Sequence, residues 1–213
     1  MVTDKETMKS LMQTGLLPQE EMLEIARKKG SLIIGIPKEN SFQENRVALA
    51  PEGVSVLVAK GHEVRVESKA GVKSSFSDNE YSEVGAQIVY DREQVFQCTI
   101  ILKVAPILDE ELDLMPGDQT LISALQISTH PKAILEKMMT KRITGVAWDY
   151  IRDDHGIFPV VRAMGEIAGN TSILLGAQYL SDFKEGKGLM LGGITGVVPT
   201  EVVVLGAGTV GEY

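Results

Sequence analysis

From Ser31 onward the chain alternates short runs of branched apolar residues with stretches whose apolar positions recur every three or four residues. Period-two or continuous apolar runs predict strands at Leu32–Ile36, Glu63–Glu67, Gln87–Tyr90, Thr99–Val104, Thr120–Ala124 and Ile143–Trp148. Between them, helical spacing predicts Glu52–Lys60, closed by Gly61, then a helix opened by a Ser77/Glu80 capping box and stopped at Gly85. Further helices are predicted at Arg92–Phe96 and Pro131–Lys141. Strands rich in Ile, Val and Leu, separated by helices, imply an α/β fold whose mostly parallel, doubly wound sheet is covered on both faces. Such sheets bind ligands at the carboxyl ends of their strands, where loops and helix starts converge.

The two ends of the chain break this alternation. Residues 1–30 predict a peripheral helical extension: Pro18, Glu20 and Glu21 suit a helix start, and Arg27, Lys28, Lys29 and Gly30 suit its end. Its apolar side would pack on the body or on a neighbouring subunit, so a homo-oligomer is expected. Beyond a first domain at 31–160, Arg162–Leu180 has the length and broad apolar face of a helix linking two domains, placed at 161–182. Residues 183–213 then open a second domain. There a strand, Val202–Leu205, runs into Gly206-x-Gly208-x-x-Gly211. The first glycine permits a tight turn, the second lets backbone approach a pyrophosphate, and the third lets helix pack close on strand. The helix that confirms this motif, and the ribose-binding acid, are expected beyond Tyr213, which makes the chain a fragment.

Composition narrows the partners. The chain has 213 residues, 44% apolar and 23% charged, an ordinary globular balance. A net charge of −8 opposes nucleic-acid binding through phosphate attraction. No apolar run suits a signal peptide or a membrane span, so a cytoplasmic location is expected. The single cysteine, Cys98, lies in an apolar run and reads as a core residue. No His, Cys and carboxylate cluster has metal-ligand spacing. His62 and His155 read as exposed turn residues.

Two cations sit where a parallel sheet places ligand contacts. Arg46 follows the first strand, and Lys103 ends the strand Thr99–Val104 inside an otherwise apolar run. An arginine can grip a carboxylate through two parallel hydrogen bonds, and a lysine supplies a point charge or a proton. With a nucleotide motif downstream, they mark a candidate carboxylate-binding site.

Taken in order, Gly35-Ile-Pro-Lys-Glu, Glu44-Asn-Arg-Val-Ala-Leu, Ile101-Leu-Lys-Val, Met164-Gly-Glu-Ile-Ala-Gly, Leu191-Gly-Gly-Ile-Thr-Gly-Val and the glycine fingerprint resemble the alanine dehydrogenase family. That family shares its build with the alpha subunit of proton-translocating nicotinamide nucleotide transhydrogenase. The resemblance runs from about Leu32 to Tyr213. It implies two doubly wound domains with the active site in the cleft between them. It further implies NAD-dependent, reversible oxidative deamination of L-alanine to pyruvate and ammonium. Carried over, Arg46 and Lys103 match the substrate-binding arginine and lysine, with Lys103 also catalytic. Met164 matches a position on the nicotinamide side, and Gly206, Gly208 and Gly211 match the pyrophosphate loop.

Two positions depart from the family. Gln126 stands where a histidine acting as acid and base is usual; it can polarise a carbonyl but cannot exchange a proton near neutral pH. Gly165 stands where a cofactor-contacting serine is common. His130, four residues after Gln126, reads as a solvent-facing helix-start residue rather than a displaced catalyst. Asp149 is a candidate for orienting Lys103. Two alternatives follow: a nucleotide-binding transhydrogenase arm, or a catalytically inactive binding or assembly module. The 213-residue chain by itself is expected to be inactive.

Overall fold

The computed structural model describes residues 30–213. The helix expected before Gly30 lies outside the described residues. The chain divides into two compact units that meet in sequence at Val146/Ala147.

The first unit is built on a sheet with strands β1 (Ile33–Ile36), β2 (Glu63–Glu67), β3 (Gln87–Val89), β4 (Ile100–Leu102), β5 (Thr120–Ser123) and β6 (Thr144–Ala147). Their spatial order is β3-β2-β1-β4-β5-β6. The registered pairs β1/β2, β1/β4, β2/β3 and β4/β5 are all parallel. Order reverses between β1 and β4, so the crevice outside the carboxyl ends of those two strands is the switch point at which this fold binds ligands.

Helices cover both faces. Helices α1 (Pro51–Ala59) and α2 (Asp78–Glu83) pack together and on β2 and β3; α3 (Arg92–Phe96), α4 (Asp109–Leu114) and α5 (Lys132–Thr140) form a second contiguous group. The α2 capping box forms as expected: Ser77 Oγ accepts from Glu80 N at 3.3 Å, and Ser77 N donates to the Glu80 carboxylate at 2.6 Å. Gly85 closes that helix with φ +92°, a backbone state that costs a side-chain-bearing residue. In β1, Gly35 is required by close packing. A Cβ there would lie 2.9 Å from Val95 Cγ1 and closer still to the Val95 carbonyl, so α3 can approach the sheet only over a bare Cα.

The core is formed by Ile34, Ile36, Val64, Val66, Ile101 and Leu121, their helix partners Val54, Val95, Phe96 and Leu112, and Ile107 from the loop after β4. Cys98 is buried among them as expected. Burial pushes its thiol up to about 11, which keeps it protonated near neutral pH. His62 corrects its expectation: it is half-buried, and its Nδ1 accepts from Leu32 N at 3.4 Å.

The second unit contains a 3-10 turn (Trp148–Tyr150), the long helix α6 (Pro159–Ser181) and the short helix α7 (Thr209–Glu212). Proline at the start of α6 suits a helix entry, where the missing N–H has no partner to lose. Two expectations are corrected here. Val202–Leu205 makes no strand: Val203 and Leu205 are exposed, and a strand needs a neighbouring ladder that the described residues do not provide. The fingerprint helix, expected beyond Tyr213, begins within the chain at Thr209. No helix among the described residues is long and apolar enough to cross a membrane.

Candidate active site

The switch point of the first unit holds a buried ion-pair network. Lys103 immediately follows β4, and its side chain is fully buried. Its ammonium donates to Glu39 Oε2 at 2.7 Å and to Glu111 Oε1 at 3.2 Å. Glu39 comes from the loop after β1, and its other oxygen accepts from Val104 N at 2.6 Å. That one carboxylate therefore ties the ends of the two strands flanking the reversal. Glu111 Oε2 accepts from Leu108 N at 3.0 Å, which fixes it at the first turn of α4.

Arg92, at the start of α3, extends the network. Its guanidinium pairs with Glu111, donates to Glu67 Oε2 at 2.8 Å and to the Lys38 carbonyl at 3.0 Å, and lies over the Phe96 ring. Glu67 also accepts from Lys38 N at 2.8 Å. Buried charges survive only when paired and hydrogen-bonded, because each would otherwise lose several kcal/mol of hydration, roughly. The pairs here come from β2, α3, α4 and the loops after β1 and β4, so the charge network clamps all of these at one edge.

Arg46 occupies the same loop as Glu39. Its Nε donates to Glu44 Oε1 at 2.8 Å and its Nη2 to Glu44 Oε2 at 2.7 Å. Glu44 holds the guanidinium above its ordinary range, and the charge of Glu39 adds to this. Reciprocally, Arg46 keeps the Glu44 carboxyl below its ordinary range. Arg46 and Lys103, expected to converge on an anionic guest, are instead each paired with a carboxylate of the protein's own, Glu44 and Glu39. Arg46 also lies within the field of Glu39.

Gln126 belongs to the same sheet edge. Lys103 N donates to the Ile122 carbonyl at 2.9 Å and Ala124 N to the Val104 carbonyl at 3.2 Å, continuing the β4/β5 pairing towards it. Gln126 has φ +43°, left-handed for a residue that pays for it in steric strain. Its carbonyl accepts from Thr129 N, Thr129 Oγ1 and His130 N, which reverses the chain into α5. His130 corrects its expectation. The residue is half-buried, and its Nε2 is enclosed without a hydrogen-bond partner among the described residues, as is Ser123 Oγ at the end of β5.

Met164 and the glycine fingerprint lie in the second unit. Gly206 has φ +113°, open only to glycine without strain. A Cβ on Gly211 would lie 3.1 Å from the Gly206 carbonyl carbon and nearer still to its oxygen. Gly208 caps α7, and a Cβ there would meet nothing within 4 Å, so its backbone is open to approach. These are the tight turn, the exposed backbone and the close packing that a pyrophosphate loop needs, and the residues fit a dinucleotide. Gly165 and Gly169, one helical turn apart on α6, let the end of the chain pack close: Cβ atoms there would lie 3.0 Å from Thr209 Cγ2 and 2.9 Å from the Tyr213 carbonyl carbon. Met164 therefore precedes the residue that touches the start of the fingerprint helix.

A model of the N-terminal domain of alanine dehydrogenase and PNT matches residues 35–168, and the corresponding C-terminal domain model matches 172–213. The chain belongs to the alanine dehydrogenase/PNT family. It is 41% identical over 181 residues to an alanine dehydrogenase of Methanococcus maripaludis and 37% identical over 180 residues to one of Bacillus subtilis, each covering 84% of this chain. The chain spans about half the length of these relatives, 48% and 47%. An L-alanine dehydrogenase structure superposes with a TM-score of 0.81 at 36% identity, covering 85% of this chain and 50% of its own. A transhydrogenase from Sinorhizobium meliloti shares the fold, with a TM-score of 0.64 at 24% identity over 70% of this chain and 45% of its own.

The residues that sequence reasoning missed are Glu39, Glu111 and Arg92. Glu39 stands in Pro37-Lys-Glu, directly after a strand, where an acid facing the later lysine could have been suspected. Glu111 and Arg92 carry no local signal, because what defines them is contact between distant segments.

Proposed function

We propose that the protein to which this chain belongs is an NAD-dependent alanine dehydrogenase. The reaction is L-alanine + NAD⁺ + H₂O → pyruvate + NH₄⁺ + NADH + H⁺, reversible in both directions. The observation that carries the reading is the grouping of Arg46, Lys103 and Glu39 at the sheet's switch point, in a chain of this family.

Arg46 receives the substrate carboxylate. Lys103, sealed between Glu39 and Glu111, fixes the floor of the site. The sequence assigned Lys103 direct contact with substrate, which requires its buried ammonium to become accessible when substrate binds. Gln126, at the same edge, donates a hydrogen bond to the developing carbonyl. Proton exchange falls to another group or to water, since an amide cannot perform it. Gly206, Gly208, Gly211 and Met164 would hold the dinucleotide, which supplies the hydride acceptor when bound.

The test is an assay of the full-length protein for NADH formation dependent on L-alanine, and for NADH consumption dependent on pyruvate and ammonium. Activity in both directions supports the proposal. Hydride exchange between two nicotinamide nucleotides with no response to alanine would overturn it in favour of a transhydrogenase arm.

A further inference from the structure

Among the described residues, Arg46 is the site cation with a largely solvent-facing side chain, 56% exposed, yet the carboxylate that holds it is only 12% exposed. That asymmetry distinguishes the Glu44–Arg46 pair from an ordinary surface ion pair, which orders two mobile chains for about 0–1 kcal/mol. Glu44 Oε1 accepts from the Arg46 main-chain N–H at 3.0 Å and from its Nε at 2.8 Å, while Oε2 accepts from Nη2 at 2.7 Å. One carboxylate thus references the guanidinium to the backbone that carries it.

The backbone is fixed in turn. The Glu44 carbonyl accepts from Lys73 Nζ at 3.1 Å, and the Asn45 carbonyl accepts from Ser74 Oγ at 2.7 Å, both from the 3-10 turn Val72–Ser74. Further along, the Leu49 carbonyl accepts from the buried Tyr81 hydroxyl at 2.8 Å. Before Glu44, Gln43 takes φ +59° and Glu44 N donates to the Ser41 carbonyl at 3.2 Å, a turn that sends the chain back on itself. The loop accepts strain at Gln43 and anchors on both sides of Arg46 in order to hold one side chain still.

We propose that Glu44 is a positioning residue for carboxylate recognition: it locks the Nε–Nη2 edge of Arg46, so that a guest carboxylate meets a guanidinium already held in one orientation. This rests on the reading of Arg46 as the carboxylate receiver. An unheld arginine must freeze its rotamers on binding, which weakens affinity by roughly three- to tenfold, and Glu44 removes that cost in advance.

The experiment compares Glu44→Ala, Glu44→Gln and Arg46→Met in the full-length protein, with KM for pyruvate, KM for NADH and kcat as readouts. Glu44→Ala is expected to raise the pyruvate KM about three- to tenfold, with kcat and the NADH KM within about twofold of wild type. Glu44→Gln, the same size and still an acceptor, is expected to recover part of the loss. A pyruvate KM that falls in Glu44→Ala would mean that Glu44 competes with substrate, and one that stays put would mean an idle surface pair; either overturns the proposal. If Arg46→Met raises the pyruvate KM while Glu44→Ala is silent, only the positioning role fails. If Arg46→Met is itself silent, the carboxylate-receiver reading fails, and the positioning role with it.

Discussion

Lys103→Met leaves the shape of the buried site nearly unchanged and removes its central charge. Glu39 and Glu111, 3% and 1% exposed in their side chains, would then face one another without the ammonium that separates them. Glu111 retains Arg92, and Glu39 retains the Val104 N–H, so the damage falls mainly on Glu39. Breaking a buried pair by deleting one partner costs about 3–5 kcal/mol, a large share of a domain's total of about 5–15 kcal/mol. With a urea slope of about 2 kcal/mol/M, a loss of ~4 kcal/mol moves the unfolding midpoint down by ~2 M. The assay is urea unfolding followed by circular dichroism on wild type, Lys103→Met, Glu39→Gln and the double variant. If the penalty comes from an orphaned carboxylate, Lys103→Met/Glu39→Gln is more stable than Lys103→Met alone, with a coupling of at least ~2 kcal/mol. A Lys103→Met midpoint within ~0.5 M of wild type at an unchanged slope would show that water reaches the network, and the account of a sealed floor would be wrong.

Gly35→Ala should destabilise the first unit by about 1–3 kcal/mol, because the new methyl drives α3 off β1; an unchanged melting temperature would refute the close contact with Val95. Cys98 makes stability fall at high pH. Its thiol is raised from an ordinary 9.0 to about 11, so the folded state holds a proton that the unfolded state releases. The contribution is fully present below pH 9 and is lost as pH rises towards about 11, on the order of 1–3 kcal/mol. Cys98→Ala should flatten that limb of a stability–pH curve, and parallel curves for the two proteins would sink the idea. His130→Leu replaces an enclosed, unpartnered Nε2 with carbon and should raise stability by about 1 kcal/mol in urea unfolding. A clear loss would reveal a partner for the imidazole.

All six strands of the first unit were legible in the sequence, because runs such as Ile33–Ile36 and Ile100–Leu102 carry their signal in their own branched side chains. Helix α4 was not. Its six residues, Asp109–Leu114, are mostly acidic, too short for a period and held by Glu111 and Leu112 facing inward. Val202–Leu205 shows the opposite failure. Its pattern is that of a strand, but a strand exists only beside another, and none adjoins it among the described residues. At the site, Lys103 stood out as a cation in an apolar run, whereas its partners did not. Glu39 lies 64 residues away and is marked only by its place just after a strand, and Glu111, eight residues away, carries no local mark as a counter-ion. The left-handed turn at Gln126 was equally silent, since glutamine has no preference for that state.

The charge balance of the network decides how a carboxylate can be recognised there. The ion pairs join three cations, Arg46, Lys103 and Arg92, to four carboxylates, Glu39, Glu44, Glu67 and Glu111, a sum of −1. An approaching anion therefore meets no net positive field from this cluster, in a chain whose total charge is −8. Long-range attraction falls with ionic strength over a Debye length of about 10 Å at 0.1 M, whereas short hydrogen bonds to a fixed guanidinium are screened far less. If recognition rests on the held fork of Arg46, the pyruvate KM of the full-length protein should change by less than about twofold between 0.05 and 0.5 M salt. Capture by an electrostatic funnel would instead raise KM steeply across that range. A steep rise would place the operative cations elsewhere than in this network, because here each is already matched by a carboxylate before any guest arrives.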